Sequence, residues 1–150
     1  MKTIFDKSTR DELIQRINSL TEENKPVWGK MNVYQMSKHC TNWNEWVLGK
    51  NDIVYKQDFL GKIFGKMALR SNTKDDKPIG KNMPAGKAFT VKVTVDNLPS
   101  LKLMWTEQIN LYQNFSNDEF IHDFFGKMTK DEIGIFTYKH NDHHLRQFNV

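Results

Sequence analysis

Histidines are concentrated at the end of this 150-residue chain. Three of its five histidines, His140, His143 and His144, fall within the last eleven residues. His140 and His144 are spaced i and i+4, so on a helix both imidazoles lie on the same side, one turn apart. That spacing lets two ring nitrogens reach one metal ion, as the histidine pair does in helical zinc sites. The end of the chain is therefore predicted to supply two ligands of a metal site.

A third ligand must come from another element, and His39 is the candidate that the pattern favours. It lies on the flank of the apolar stripe of a predicted second helix, one turn from both Met36 and Trp43, and so faces the edge of the core. Three neutral imidazoles without a carboxylate favour Zn²⁺ or Ni²⁺ over Mg²⁺ or Ca²⁺. Such a set leaves one coordination position open for water or a substrate.

Several neighbouring residues are expected to support these ligands. We expect His143, Asp142 and Gln147 to orient the ligand imidazoles through their remaining ring nitrogens. Trp43 is expected to form a wall of the site, and His122 either to cap the last helix or to line the mouth of the cavity. The competing interpretation is a set of purely structural histidines, because a histidine on a helix more often hydrogen-bonds than ligates a metal.

Helical periodicity predicts the elements that must position these side chains. Apolar residues recur at helical spacing over about 9–22, 32–49, 56–70, 99–115 and 129–148. Ser8 and Thr9 offer overlapping capping boxes for the first of these helices, and Asn32 can cap the second. Thr129 with Glu132 forms a capping box for the last. The sequence therefore predicts an all-α fold, a four-helix bundle with a long crossover and one extra short helix or extended segment.

The predicted crossover has two parts. Residues 71–87 are rich in Lys, Gly, Pro and Asn, a composition typical of a loop. In residues 89–95, apolar and polar residues alternate with the period of a strand. We expect an extended segment that lies over the bundle, with a short pairing to residues 53–55 as the alternative.

Composition limits the class of protein. The chain has 38% hydrophobic and 27% charged residues and a net charge of +4, the balance of a globular protein that we expect to form one domain over residues 1–150. Lysines alternate with aspartates in the middle of the chain, which indicates a solvated surface and not a nucleic-acid site. No run of 18 apolar residues or signal peptide is recognisable, so neither a membrane partner nor export is expected. Cys40 is the single cysteine, which excludes an internal disulfide and is compatible with the cytoplasm.

The segments that carry the histidines resemble a known family. Residues 122–129 (HDFFGKMT) and 138–148 (YKHNDHHLRQF) resemble the C-terminal signature of a family of uncharacterised bacterial proteins. Residues 28–31 (WGKM) and 36–40 (MSKHC) resemble its second signature. That family belongs to the DinB-like superfamily, which also contains the YfiT-type thiol S-transferases. The resemblance covers both ends of the predicted bundle.

This resemblance implies a four-helix bundle with a divalent metal held by three histidines, at positions matched here by His39, His140 and His144. We further expect a metal-dependent enzyme of S-transferase or hydrolase type, in which the metal activates water or a thiol. The partner would be a small molecule, with a low-molecular-weight thiol as one candidate. The alternatives are a non-catalytic bundle that binds a metal or small ligand, and a structural bundle that forms a homodimer.

Overall fold

Five α-helices make up most of the regular structure in the computed structural model, which describes residues 1–83 and 86–150 apart from the side chain of Lys87. They are α1 (Lys7–Ser19), α2 (Val33–Val47), α3 (Phe59–Thr73), α4 (Leu98–Leu111) and α5 (Lys130–Gln147). Two short 3₁₀ turns cover Lys87–Phe89 and Tyr112–Asn114. A small antiparallel hairpin pairs β1 (Ile121–His122) with β2 (Gly126–Lys127). The predicted all-α fold is confirmed. Within the described ranges, no helix has both the length and the apolar character needed to cross a membrane.

The two helices that carry the predicted ligands begin at the capping boxes predicted from the sequence. At the start of α2, the Asn32 side chain accepts from the Gln35 backbone N–H (2.9 Å), and the Gln35 side chain accepts from the Asn32 N–H (3.1 Å). Thr129 and Glu132 make the same reciprocal pair at the start of α5. Each box satisfies two backbone donors that a helix start otherwise leaves unpaired, and both predicted caps are confirmed.

The start of α1 differs from the prediction. Its N-cap is Asp6, which makes no side-chain capping hydrogen bond, so the capping boxes predicted at Ser8 and Thr9 are wrong. Both residues already lie inside the first turn of the helix. The chain before α1 is held instead by the buried Arg10, whose guanidinium donates to two backbone carbonyls just upstream, at 3.0 and 2.6 Å.

Helices α1, α2, α4 and α5 form the bundle. Helix α4 packs against α1 and α2, while α5 packs against α1, α2 and α3. Large side chains that are almost completely shielded from solvent fill the space between the helices, among them Leu13, Ile17, Met36, Trp46, Trp105, Ile109 and Leu145. Cys40 belongs to this core, and its burial raises the pKa of the thiol well above its usual range. The cysteine is thus a small core hydrophobe.

A buried polar network joins three helices of the bundle. The Asn141 side-chain carbonyl on α5 accepts from the Trp105 indole N–H on α4 (2.7 Å) and from the Asn44 amide on α2 (3.2 Å). The Tyr112 hydroxyl, directly after α4, donates to the Asn44 carbonyl (2.9 Å). All four side chains are buried. Because unmatched polar groups are costly in a dry interior, this network favours one register of the helices over all others.

Helix α3 spans nearly the same residues that its apolar period predicts, but the large apolar side chains of that pattern face solvent. We call these residues the α3 outer face; their exposed fractions lie between 48% and 74%, and they are Phe59, Leu60, Ile63, Phe64 and Met67. The side of the helix that faces the protein carries Gly61 and Gly65. The periodicity therefore identified a helix without identifying which side is buried.

The crossover between α3 and α4 is fixed at both ends. The buried Lys139 ammonium on α5 donates to two backbone carbonyls. One is that of Asn72 in the last turn of α3 (2.8 Å), and the other is that of Lys77, just beyond the helix (2.9 Å). Further along, the Asn32 amide donates to the Thr94 carbonyl (2.7 Å). This part of the crossover thus lies over the start of α2, as expected, but Phe89 belongs to a 3₁₀ turn and the backbone bends at Thr94, so residues 89–95 are not one extended run. In the described part of the chain they form no ladder with residues 53–55.

Replacing Asn141 by alanine tests the polar network. The change removes the acceptor of two buried donors, so we expect the free energy of unfolding to fall by about 2–4 kcal/mol. Urea unfolding followed by circular dichroism measures it. Asn110→Ala, at an exposed position of α4, is the matched control and should change stability by less than about 0.5 kcal/mol. Equal small effects of both variants would contradict a structural role for the network.

Candidate metal centre

The three histidines predicted as ligands lie together between α2 and α5. One ring nitrogen from each of His39, His140 and His144 lies within 4.8 Å of the others. The Nε2 atoms of His39 and His140 are 3.2 Å apart. Two nitrogens bound to one tetrahedral zinc ion, each at about 2.0–2.1 Å, are separated by about 3.3 Å. The distance between these two imidazoles thus already matches a shared metal ion.

Antiparallel packing of α2 against α5 brings the histidines together. Trp43 on α2 contacts the rings of Phe136 and His140, whereas His39, one turn earlier, contacts His140 and His144. The i,i+4 spacing places the two imidazoles of α5 on the side that faces α2, as predicted. The site therefore depends on the register between two helices that are distant in sequence.

A backbone carbonyl fixes the tautomer of His39. Its Nδ1 lies 3.0 Å from the carbonyl oxygen of Phe89. A carbonyl can only accept, so Nδ1 carries the hydrogen and donates it. In the neutral ring, the lone pair is then on Nε2, the atom that faces His140. His39 is buried, and its unprotonated nitrogen points into the cluster.

A side-chain relay fixes His144 in the same way. The Gln147 amide nitrogen donates to the Trp28 carbonyl (2.8 Å), which places the Gln147 carbonyl oxygen against His144 Nδ1 at 3.0 Å. That oxygen can only accept, so Nδ1 of His144 is the donor and its Nε2 keeps the lone pair. The role expected for Gln147, orienting a ligand imidazole, agrees with this geometry.

His140 completes the cluster with a different environment. Its ring stacks on Trp43, with centroids 4.1 Å apart, so the indole lies against one face of this imidazole. Its Nδ1 is buried and has no hydrogen-bond partner among the described residues. The hydrogen of the neutral ring can lie on Nδ1, leaving Nε2 as a third lone pair, or on Nε2, donating to His39. The first arrangement gives the cluster three nitrogen ligands.

Burial keeps all three rings in the form that binds metals. Loss of solvation lowers the pKa of His39, and lowers the pKa of His140 and His144 well below their usual range. Repulsion between the clustered imidazoles lowers the pKa of His140 and His144 further. Neutral imidazole is the ligating form, so near neutral pH protons compete little for these nitrogens.

His143 lies beside the cluster and does not join it. Its ring meets the edge of Trp28 at 5.6 Å and the ring of His144 at 5.1 Å. Burial lowers its pKa, and an interaction with the Ile79 backbone opposes that shift. His143 is thus a neighbour of the site, between the cluster and the crossover.

The orienting role predicted for Asp142 is wrong. Its two carboxylate oxygens accept from Arg16 and Arg146, each at 2.7 Å, and among the described residues no cluster histidine bonds to it. The reason is helical geometry, since Asp142 lies midway between His140 and His144 in sequence. A residue two positions from each lies on the opposite side of the helix.

His122 does not cap the last helix, because Thr129 does. His122 lies in β1, where its Nδ1 accepts from the backbone N–H groups of Phe124 (3.1 Å) and Phe125 (3.3 Å). Its ring packs against Phe125 and the core residue Trp46. The first of the two roles predicted for His122 is thereby corrected: it stabilises the turn of the hairpin.

Two backbone carbonyls that position the clustered histidines were not predicted from the sequence. The carbonyl of Phe89 orients His39, yet a backbone carbonyl leaves no signal because every residue has one. The carbonyl of Trp28 positions Gln147, and here a signal exists in the glycine that follows. Gly29 has φ +79°, and a Cβ there would lie 2.5 Å from the Gln147 amide nitrogen. Only glycine allows the turn and this close approach together.

The comparisons with known proteins concern the whole chain. No curated protein and no solved structure matches it. One family model, described as "Protein of unknown function (DUF1569)", matches residues 5–150. This range includes all three clustered histidines, the hairpin and every helix. The match extends over nearly the full length, so the protein belongs to the DUF1569 family.

Proposed function

We propose that His39, His140 and His144 bind a divalent transition metal, Zn²⁺ or Ni²⁺, and that the protein is a metal-dependent enzyme of S-transferase or hydrolase type. The observation that carries the proposal is the convergence of one ring nitrogen from each histidine, with the lone pairs of His39 and His144 fixed inward by the partners of their Nδ1 atoms. When bound, such a metal would lower the pKa of water or of a substrate thiol. The resemblance to the DinB-like superfamily supports the same proposal.

The residues around the cluster would hold and shield the ligands. The Phe89 carbonyl and the Gln147 amide keep the lone pairs of His39 and His144 directed inward. Trp43 covers one side of His140 and keeps water from it. Three protein ligands leave room for a small molecule, for which we propose a low-molecular-weight thiol. A buried, unpaired Cys40 is consistent with our proposal of a cytoplasmic protein.

One observation favours a second candidate, a non-catalytic bundle that binds a metal or a small ligand. Catalysis by water or thiol activation usually employs a general base. Asp142, the nearest carboxylate in sequence to both α5 ligands, is bound by two arginines. Among the described residues, no carboxylate hydrogen-bonds to a histidine of the cluster. A binding protein needs no such base.

Metal analysis of protein purified without a histidine tag tests the ligand set. After reconstitution with Zn²⁺ or Ni²⁺, we expect about one equivalent per chain. His39→Ala, His140→Ala and His144→Ala should each abolish binding, because two remaining imidazoles hold an ion weakly. His143→Ala and His122→Ala are matched controls and should retain it. Less than about half an equivalent in the unaltered protein, or loss only in His143→Ala, would show that the ligand set is wrong.

Gln147 offers a test of ligand orientation. Gln147→Ala removes the acceptor for His144 Nδ1, and we expect metal affinity to fall by roughly 10- to 100-fold. Gln147→Glu keeps an acceptor oxygen and should lose less. Competition with a chromogenic chelator measures the affinities, with the exposed Gln113→Ala as control. Unchanged affinity in Gln147→Ala would contradict the assigned role.

A turnover assay distinguishes the two candidate functions, enzyme and binding protein. A panel of thiol-transfer and hydrolysis substrates should show activity with the metal-loaded protein and none with His39→Ala. If the metal raises the melting temperature of the protein but supports no turnover on the panel, the protein is a non-catalytic metal-binding bundle.

A further inference from the structure

The α3 outer face is a run of exposed apolar side chains along one helix. Its five large side chains fall within two and a half turns of one helix, and Phe59 and Met67 are 74% and 70% exposed. Scattered exposed apolar residues are ordinary, but a contiguous patch on one helix marks an interaction surface.

The helix cannot turn this face inward. A Cβ added at Gly61 or Gly65 would lie 2.3 or 2.2 Å from the Phe124 carbonyl oxygen, so the α3 backbone rests directly on the hairpin. The Gln57 amide donates to the same carbonyl (3.0 Å), and the Asp58 backbone N–H donates to the Asp123 carbonyl (2.7 Å). A rotation that buried the bulky side chains would break these contacts. The packing of α3 against the hairpin therefore fixes the outward direction of this face.

The charge beside this face has one sign. Residues 59–74 contain four cations and no acidic residue. The four cations are Lys62, Lys66, Arg70 and Lys74, all of them exposed. The Lys66 ammonium also donates to the backbone carbonyl of Lys127 in the hairpin. The carboxylate of Asp58, just before the helix, accepts from the Gly61 N–H as its N-cap. Phenylalanine, leucine, isoleucine and methionine flanked by lysine and arginine are the composition of a helix that lies at a membrane surface.

We propose that the α3 outer face docks on an anionic membrane surface. Its apolar side chains would enter the boundary between headgroups and acyl chains, while Lys62, Arg70 and Lys74 contact lipid phosphates. Long lysine and arginine side chains can reach the headgroups from the flank of a buried apolar stripe. This partner departs from the expectation, drawn from the sequence, that no membrane is involved.

Charge complementarity favours this surface over a second copy of the chain. In a homodimer built on the same face, the four cations of one helix would approach the four of the other. No carboxylate within residues 59–74 could balance them, and like charges across an interface oppose association. An anionic bilayer supplies the opposite charge across the whole face.

Co-sedimentation of the full chain with vesicles tests the proposal. We expect binding to vesicles of equimolar phosphatidylcholine and phosphatidylglycerol, and little binding to phosphatidylcholine alone. Phe59→Ser with Ile63→Ser should abolish binding. Lys62→Gln with Arg70→Gln should weaken it roughly 10- to 30-fold. Leu103→Ser with Leu111→Ser, two exposed apolar positions on α4, is the matched control and should bind normally.

Two results would overturn the proposal. One is the absence of binding to the anionic vesicles by the unaltered protein. The other is a stable dimer in light scattering that Phe59→Ser with Ile63→Ser dissociates, which would assign the face to a second copy. Metal content serves as an independent check of the fold in every variant, since α3 supplies none of the clustered histidines. Failure of the membrane proposal thus leaves the metal proposal untouched, and the reverse also holds.

Discussion

The hydrogen bonds that Asn141 makes with Asn44 and Trp105 set the register on which the site depends. Asn141 directly follows His140, and Asn44 lies just beyond Trp43, the residue on which His140 stacks. A slip of α5 along α2 by one turn would separate the two asparagines. It would leave several buried polar groups unpaired, each at a cost of about 1–3 kcal/mol. The register that satisfies these groups is also the one that brings His39 opposite His140.

Register alone does not direct the lone pairs, and the parts of the chain that do so are remote from the ligands. Phe89 lies in the crossover, and Trp28 lies in the connection between α1 and α2. Both act through backbone carbonyls, so the metal site depends on the path of two connections as much as on the helices. Lys139 holds the start of the crossover through the end of α3, one residue before a ligand.

The sequence was most informative where a rule involves neighbours in the chain. Asn32 and Thr129 cap their helices as predicted, because a capping box needs only residues three positions apart. The i,i+4 spacing of His140 and His144 predicted a shared direction for the same reason, and helical geometry would also have excluded Asp142. The apolar period of α3 failed to show its buried side. There, Gly61 and Gly65 pack on the hairpin, and that contact depends on Phe124, which is far away in sequence. The carbonyl of Phe89 could not be found because its role comes from position and not from residue type.

We propose that the Nε2 atoms of His39, His140 and His144 share one metal ion. Anomalous diffraction at the zinc absorption edge, from crystals of the zinc-loaded protein, tests it most directly. We expect one strong peak within about 2.0–2.1 Å of Nε2 of His39, His140 and His144, with Nδ1 of His144 still bonded to Gln147. A peak at His143 or at Asp142, or ligation through Nδ1 of His39 with the Phe89 contact broken, would contradict it.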